Sequence, residues 1–410
     1  MEVTGLNLKN IVILNDFGFI NGGAAKVAIE SAVSLKNEGF NVIYFTAVSP
    51  IDKMLLDSGV QVITTDQEDI LNNPSRLKAF FQGIWNFKAY KELNKALHLL
   101  NHEETIIHIH GFCKALSASV IRLCNKLEFK HVVTLHDYFT ICPNGGIFNY
   151  QTNKICCLKP MGLKCIVCNC DSRSYLHKLW RVVRQYIFLY LGYLKRCKSF
   201  ISLCENNERL VKSIFGESMF YRVRNPIDEN RREPIKAFNN KKYIAVGRLS
   251  AEKGSTVFAQ AAKRTNVECI FVGDGYQKEE IINIYPKAEV TGWLKKNDVQ
   301  KYMKSARALI FPSLLYEGFP LTVLEAMAIG LPVIVPDTCN AKELFKDNFN
   351  GLIFKGGDPE DLSEKIKLLG DDELVKKLGL NAYKSYWEKD FTLSKHIEDL
   401  THAYKQILSC

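Results

Sequence analysis

Two cations and two acids in the second half of the chain are spaced as if to hold an anion beside hydroxyl groups. Arg248 follows Gly247 at the end of an apolar run, and Lys253-Gly254 comes five residues later. Fixed cations at a strand end can neutralise a diphosphate, although an arginine and a lysine at this separation also fit a solvated loop. Glu317-Gly318-Phe319-Pro320 then runs into LTVLEAMAIG, which contains Glu325. Pro320 suits the first turn of a helix, and Gly318 with the helix start offers free amides to a phosphate. Glu325, near the end of the second turn, can accept two hydrogen bonds from a vicinal diol such as a ribose. Glu317, outside the helix, can hold sugar hydroxyls. A capping acid and a solvent-facing acid are the plainer reading, and the glycine between them speaks against it.

The first half offers a glycine turn and two histidines. Gly22-Gly23 stands between an apolar run and a helical stretch. Glycine allows close backbone approach, and a helix start suits phosphate, but such a turn alone is as readily structural. His136 ends HVVTLHD beside Asp137, where it can orient a sugar hydroxyl or assist an acceptor; a structural histidine is the alternative. His110-Gly111 sits similarly after IIHI.

Short apolar runs alternating with helical periodicity would position these residues. NIVILN (10–15) reads as a buried parallel strand, and AAKVAIESAVSLKNEGF as a helix ended by Gly39. Further strands are expected at NVIYFTA, 105–111, 131–137, 200–205 and 221–227. The pattern restarts at 242–249 and continues through 269–275, 288–293, 308–313 and 332–337. This alternation predicts two doubly wound α/β domains whose carboxyl strand ends share a cleft. Asn225-Pro226 and ENRREPIKAFNNKK form the expected linker.

GRLSAEKG, FVGDG and FPSLLYEGFPLTVLEAMAIGLPVIVPD together resemble the donor half of family 4 glycosyltransferases, and NGGAAKVAIE resembles their acceptor-domain turn. The resemblance implies a GT-B fold, with two Rossmann-like domains facing a central cleft. It implies an acceptor-side domain at 1–226 carrying a cysteine-rich insertion at 142–170, a donor domain at 227–385, and a last helix at 386–410 crossing back. It also implies retaining, metal-independent transfer from a nucleotide diphosphate, expected to be a UDP-sugar, with no cofactor for catalysis. Arg248 and Lys253 would bind the diphosphate, Glu325 the ribose and Glu317 the donor sugar. Gly22 and Gly23 would close over the phosphates. Gly273 and Gly275 would line the back of the nucleotide pocket, with Gly292-Trp293 near the base. Gly318, Phe319, Pro320 and Leu321 would shape donor choice, and His136 would face the transferred sugar.

Thirteen cysteines, six of them between Cys142 and Cys170, form a separate feature. Without an export signal, clustering favours metal over disulfides. Cys165 and Cys168 make a CxxC pair, and Cys142 with Cys156 or Cys157 can complete four thiolates around a structural zinc. Unliganded thiols, an iron–sulfur cluster and a redox pair are the alternatives.

Residues 1–237 hold 30 Lys and Arg against 21 Asp and Glu, so most of the net charge of +10 lies there. Such a balance fits an anionic partner or ordinary solubilising charge. YLHKLWRVVRQYIFLYLGYLKRCKSF (175–200) interleaves basic and aromatic residues, as in a helix lying on an anionic membrane or a core helix with a basic outer face. No secretory signal and no run of about 20 apolar residues is seen. The chain is therefore expected in the cytoplasm, or peripherally on the inner face of the membrane. The expected partners are a nucleotide-sugar donor and a glycan or lipid-linked acceptor of bacterial-type surface polysaccharide synthesis, with no nucleic acid. A sugar-nucleotide 2-epimerase and a non-catalytic nucleotide-sugar-binding protein are the rival readings.

Overall fold

Ile11, Val12, Ile13 and Leu14 are all apolar, and a strand without polar alternation has to be covered on both faces. The computed structural model describes residues 8–193, 198–227 and 230–409, and in it that segment is the centre of a parallel sheet. The strands are β1 (Asn10–Phe17), β2 (Asn41–Val48), β3 (Gln61–Thr64), β4 (Thr105–Ile109), β5 (His131–Thr134), the short hairpin β6 (Phe148–Asn149) and β7 (Lys154–Ile155), β8 (Ser199–Ser202) and β9 (Met219–Arg222). Without the hairpin, they run in the order β3-β2-β1-β4-β5-β8-β9. The second sheet holds β10 (Tyr243–Val246), β11 (Cys269–Val272), β12 (Glu289–Gly292), β13 (Ala308–Ile310), β14 (Val333–Pro336) and β15 (Leu352–Phe354), in the order β12-β11-β10-β13-β14-β15.

Side-chain alternation divides the first sheet's core in two. Val12 and Leu14 join one buried cluster with Phe45, Ile107 and Val133, while Ile11 and Ile13 join another with Ala28, Val42 and Ile106. In both sheets the strand order reverses beside the first strand, at β1–β4 and at β10–β13. Crevices at such reversals, outside the carboxyl ends of the strands, are where ligands of doubly wound sheets bind.

The edge strands β3 and β15 were not among the expected strands. β3 has four residues with at most partly buried side chains, and β15 only three, although its Leu352 and Phe354 are buried. The strand expected at 221–227 ends at Arg222 instead, and Pro226, which has no N–H to give a ladder, lies beyond it. Asp228 and Glu229 of the expected linker lie outside the described residues.

The chain passes between the two sheets twice, and the passages are tied together. Ile227 N donates to Phe391 O at 3.0 Å, and the Arg224 guanidinium lies 5.4 Å from the Phe391 ring centre. The helix Leu393–Ser409 then packs on the first sheet's layer, where Ile397, Leu400, Ala403 and Tyr404 join the cluster of Ile11 and Ile13. Leu400 is fully buried there. Leu400→Ala should lower unfolding stability by roughly 2–5 kcal/mol through the lost burial and residual cavity, read from urea denaturation midpoints.

Candidate active site between the two sheets

The carboxyl ends of the two sheets border a cavity of about 410 Å³. Gly23 and His136 line it from the first sheet's side, and Arg248, Lys253, Glu317, Gly318, Phe319, Pro320, Leu321 and Glu325 from the second. Gly23 faces Leu321 across it, such that a Cβ on Gly23 would touch Leu321 Cδ1 at 3.4 Å. Gly22 is the N-cap of the helix Gly23–Asn37 and does not itself line the cavity. Gly273 and Gly275 lie one layer behind. Gly273, at φ +148°, abuts the Gly247 carbonyl so closely that any Cβ would collide with it. Trp293 is exposed and does not border the cavity.

Each cation that sequence placed at a diphosphate already has a carboxylate partner. Lys253 Nζ lies 2.5 Å from Glu317 Oε1, which also accepts from Ser313 Oγ at 2.8 Å. Arg248 reaches Glu252 Oε1 at 3.1 Å. Burial pushes the Glu317 carboxyl up, but the Lys253 charge and hydrogen bond, the Ser313 hydroxyl and the field of Arg248 together hold it below its ordinary value. Glu317 is therefore an ionised acceptor at neutral pH. Glu325 sits on the helix Leu321–Ala328, on the side that lines the cavity.

His136 is the first of a file of three histidines. Its Nε2 is 2.9 Å from His110 Nδ1, and His110 Nε2 is 3.2 Å from His108 Nδ1. His108 is held by Thr134 Oγ1 and Tyr404 Oη, each at 2.6 Å. Burial, reinforced by neighbouring imidazoles, pushes all three rings down, His136 to about 3. His136 thus offers a neutral ring to the cavity.

Asp16 was missed in the sequence. It is buried and accepts backbone N–H bonds from Lys114, Ala115 and Leu116 at 2.8–2.9 Å. Its place at the carboxyl end of β1, opposite His110 and Asp137 around a small second cavity, was the available signal. Asp137 opens to solvent on one side, but protein packed deeply around the rest pushes its carboxyl up to about 6.

The family model described as Glycosyl transferases group 1 matches residues 226–385. Residues 226–385 are thus similar to a group 1 glycosyltransferase domain. Over the longer chain, an uncharacterized glycosyltransferase of Haemophilus influenzae is 24% identical, the match covering 92% of this chain and 95% of the relative. UDP-Gal:alpha-D-GlcNAc-diphosphoundecaprenol alpha-1,3-galactosyltransferase of Escherichia coli is 28% identical, over 40% of this chain and 44% of its own length. An uncharacterized glycosyltransferase of Methanocaldococcus jannaschii is 28% identical, with 45% of this chain and 57% of the relative covered. The chain thus spans about half the length of these last two. Anabaena HepE, solved with UDP and glucose, superposes with a TM-score of 0.70 at 15% identity, over 97% of this chain and 100% of that one. Sucrose-phosphate synthase of Thermosynechococcus elongatus gives 0.69 at 17% identity, over 98% and 99%. The fold is GT-B, two doubly wound domains about a cleft.

The cysteine insertion of this glycosyltransferase-like chain departs from the expectation. Among the described residues no three His, Cys, Asp or Glu side chains are grouped so as to hold a metal ion, and Cys142, Cys156, Cys165 and Cys168 are not brought together as a four-thiolate set. A lysine stands among the thiols instead, with Lys178 Nζ 3.8 Å from Cys165 Sγ. Its ammonium is lowered by burial and raised further by Cys165, Cys170 and Cys142, for a net rise. Burial keeps Cys142, Cys156 and Cys170 as neutral thiols, Cys170 at about 11. Protein contacts order the insertion: Asn144 Nδ2 to Cys170 O at 2.8 Å, Gln151 Nε2 to Asp171 O at 2.7 Å, and Arg181 Nε to Asp171 Oδ2 at 3.2 Å.

The helix Tyr175–Ile187 also has an unexpected polarity. It buries Lys178, Arg184 and Gln185 and exposes Leu176, Val183 and Tyr186. Residues 194–197 of the basic stretch lie outside the described residues. No helix among the described residues is long and apolar enough to cross a membrane.

The buried histidines set a pH dependence. His108, His110, His136 and His396, the last pushed by burial to about 4, stay neutral in the folded protein below the ordinary value of 6.5. Below pH 6.5 the unfolded chain therefore binds more protons at these four sites, and acid favours unfolding. Asp137, at about 6, and Asp16, also raised by burial, oppose this with at most two protons. Stability should fall from pH 7.5 to 4.5, gently at first and steadily once below about 6.5. Urea midpoints that do not change across that range would refute the neutral histidine file.

Proposed function

We propose that the chain is a retaining, metal-independent glycosyltransferase. It moves a sugar from a nucleotide diphosphate donor of the UDP type to a glycan or lipid-linked acceptor in surface polysaccharide synthesis. The observation that carries this reading is the convergence of Arg248, Lys253, Glu317 and Glu325 on one cavity opposite Gly23 and His136. The Escherichia coli relative named above uses UDP-Gal and a diphosphoundecaprenol-linked acceptor, in agreement with it. These residues are on the acceptor and donor sides of a cleft large enough for a nucleotide sugar.

The donor's diphosphate replaces Glu317 as the partner of Lys253 and recruits Arg248 from Glu252. Glu317, released from Lys253, then accepts hydrogen bonds from the donor sugar, while Glu325 takes the ribose diol. Neutral His136 contacts the transferred sugar through a hydrogen bond without adding charge. The acceptor oxygen attacks the anomeric carbon on the face from which the diphosphate departs. The bond between that carbon and the diphosphate breaks, and the acceptor proton passes to a leaving phosphate oxygen. Catalysis then consists of positioning and of stabilising charge on the diphosphate.

Release of the nucleoside diphosphate from a panel of nucleotide sugars, with and without acceptors, tests the reading. Lys253→Ala should lower kcat/KM by roughly 10²–10³-fold, and Glu317→Gln should lower kcat more than it raises KM. Product anomeric configuration by NMR should match that of the donor. Turnover of no donor would refute the enzyme, and a free epimerised sugar formed without acceptor would make it a 2-epimerase.

A further inference from the structure

The helices Arg76–Ile84 and Tyr175–Ile187 pack through Phe80 and Trp180, whose rings are 6.1 Å apart, and a groove of about 420 Å³ opens beside them. Its walls are apolar, with Leu71, Phe80, Leu176 and Trp180 among them. Five cations, Arg76, Lys114, Arg173, Arg181 and Arg184, border it, and no acidic residue does. Only Arg181 among them makes an ion pair within the described residues, with buried Asp171. Arg184 is almost fully buried, its guanidinium 5.0 Å from the Trp180 ring centre and 5.3 Å from that of Phe139. It has only carbonyl oxygens as hydrogen-bond partners, Cys113 O at 3.2 Å and Pro143 O at 3.5 Å. Asp16 and Asp137 act on it only through their field; burying a guanidinium without a paired carboxylate is costly, and an anion in the groove would offset that cost.

The groove lies near the cleft, with a small cavity of about 70 Å³ between them. Cys113, Lys114 and Phe139 border both it and the small cavity of Asp16, His110 and Asp137. Ala24 borders both that cavity and the cleft lined by His136 and Glu317. Apolar side chains of its wall stand in the open: Leu176 is 77% exposed and Phe80 44%. Hydrocarbon surface, cations, a small polar cavity and the proposed transfer site are therefore neighbours in that order. A hydrocarbon alone has no use for the cations, and a soluble diphosphate has no use for the apolar walls.

We infer that this groove seats the diphosphate and the first part of the hydrocarbon chain of a lipid-linked acceptor, with the receiving sugar directed toward the His136 side of the cleft. The inference rests on the glycosyltransferase reading for the direction of transfer, though not for the binding itself. The diphosphate lies against Lys114, Arg173 and Arg184, and the chain runs over Trp180 and Phe80 toward Leu176.

Farnesyl diphosphate is a suitable probe, titrated calorimetrically into the full chain with UDP saturating so that the donor cleft is filled. It should bind at least ten-fold more tightly than inorganic diphosphate. Phe80→Glu and Arg173→Glu, both at exposed positions, should each weaken it at least ten-fold and change UDP affinity less than two-fold. Equal affinity for the two diphosphates would reduce the groove to a phosphate site and overturn the inference. So would undiminished farnesyl diphosphate binding by both variants, or binding to phosphatidylglycerol vesicles with none to the probe, which would make the face a membrane rest. Absence of UDP binding would count against the donor site while leaving the groove's own titration to decide the groove.

Discussion

Lys253 and Glu317 face each other at 2.5 Å in a place where both side chains are largely shielded from water. Removing one member of such a pair strands the other as an uncompensated charge, a cost of roughly 3–5 kcal/mol. The pair is therefore a constraint on anything that enters the cleft. A ligand that draws Lys253 away has to bring its own negative charge, and it has to satisfy the Glu317 carboxylate with donors. A diphosphate joined to a polyhydroxylated sugar does both at once. A simple phosphate does only the first and a free sugar only the second, so the ion pair acts as a selectivity device before any chemistry begins. The backbone is arranged to keep the pair in place. Ser313 fixes Glu317 from one side, and the loop carrying Lys253 is pinned where Leu314 N donates to Glu252 O at 2.9 Å.

The first sheet's side supplies little charge to the cleft itself. Its histidine file is neutral, and its nearest carboxyls, Asp16 and Asp137, open on the smaller chamber behind. Tyr404 anchors the inner end of the file, and it belongs to the helix that crosses back from the second sheet. The same helix carries His396, whose ring bridges Ser31 Oγ at 3.0 Å and Arg224 O at 2.7 Å. The position of His136 is thus fixed through His110, His108 and Tyr404 by the segment that ties the two domains together. Any movement of that crossing relative to the first sheet would be felt at the cleft, which is the coupling expected where closure brings two half-sites together.

Much of this was legible in the residues. Parallel strands buried on both faces leave continuous apolar runs, so IVIL and ALIF announced themselves, and the residues just beyond such runs were fixed at the carboxyl ends. The residues alone left Arg248, Lys253, Glu317, Glu325, Gly23 and His136 each with a plainer reading, and it was the resemblance to family 4 glycosyltransferases that gathered them at one cleft. Gly273 and Gly275 were legible as glycines in need of space but not in their placement, because close backbone packing and close approach to a ligand select the same residue. Strand β3 was illegible because its side chains are at most partly buried, and β15 because three residues make too short a run. The cysteine cluster misled for a physical reason: CxxC spacing is compatible with zinc, but spacing carries no information about a distant lysine, and Lys178 arrives among the thiols from another helix.

The inverted helix Tyr175–Ile187 shows the same limit in a more consequential form. Periodicity located a basic, aromatic helix but could not say which stripe faced inward. An inward apolar stripe would have made the basic residues a solvent-facing or membrane-facing surface. In the folded chain the arginine that matters most, Arg184, is turned inward beneath Trp180 and Phe139, while Leu176, Val183 and Tyr186 look out. Such an arrangement is unfavourable in isolation, since it buries charge and exposes hydrocarbon at once. Both penalties are relieved together by one kind of partner, an amphiphile with its anionic group within reach of Arg184 and its chain against the outer stripe. A plain anionic surface would leave the first unrelieved, because it cannot bring its charge to the buried guanidinium. The polarity of this one helix therefore narrows the partner from anything anionic, which composition alone allowed, to an anion that carries its own hydrocarbon.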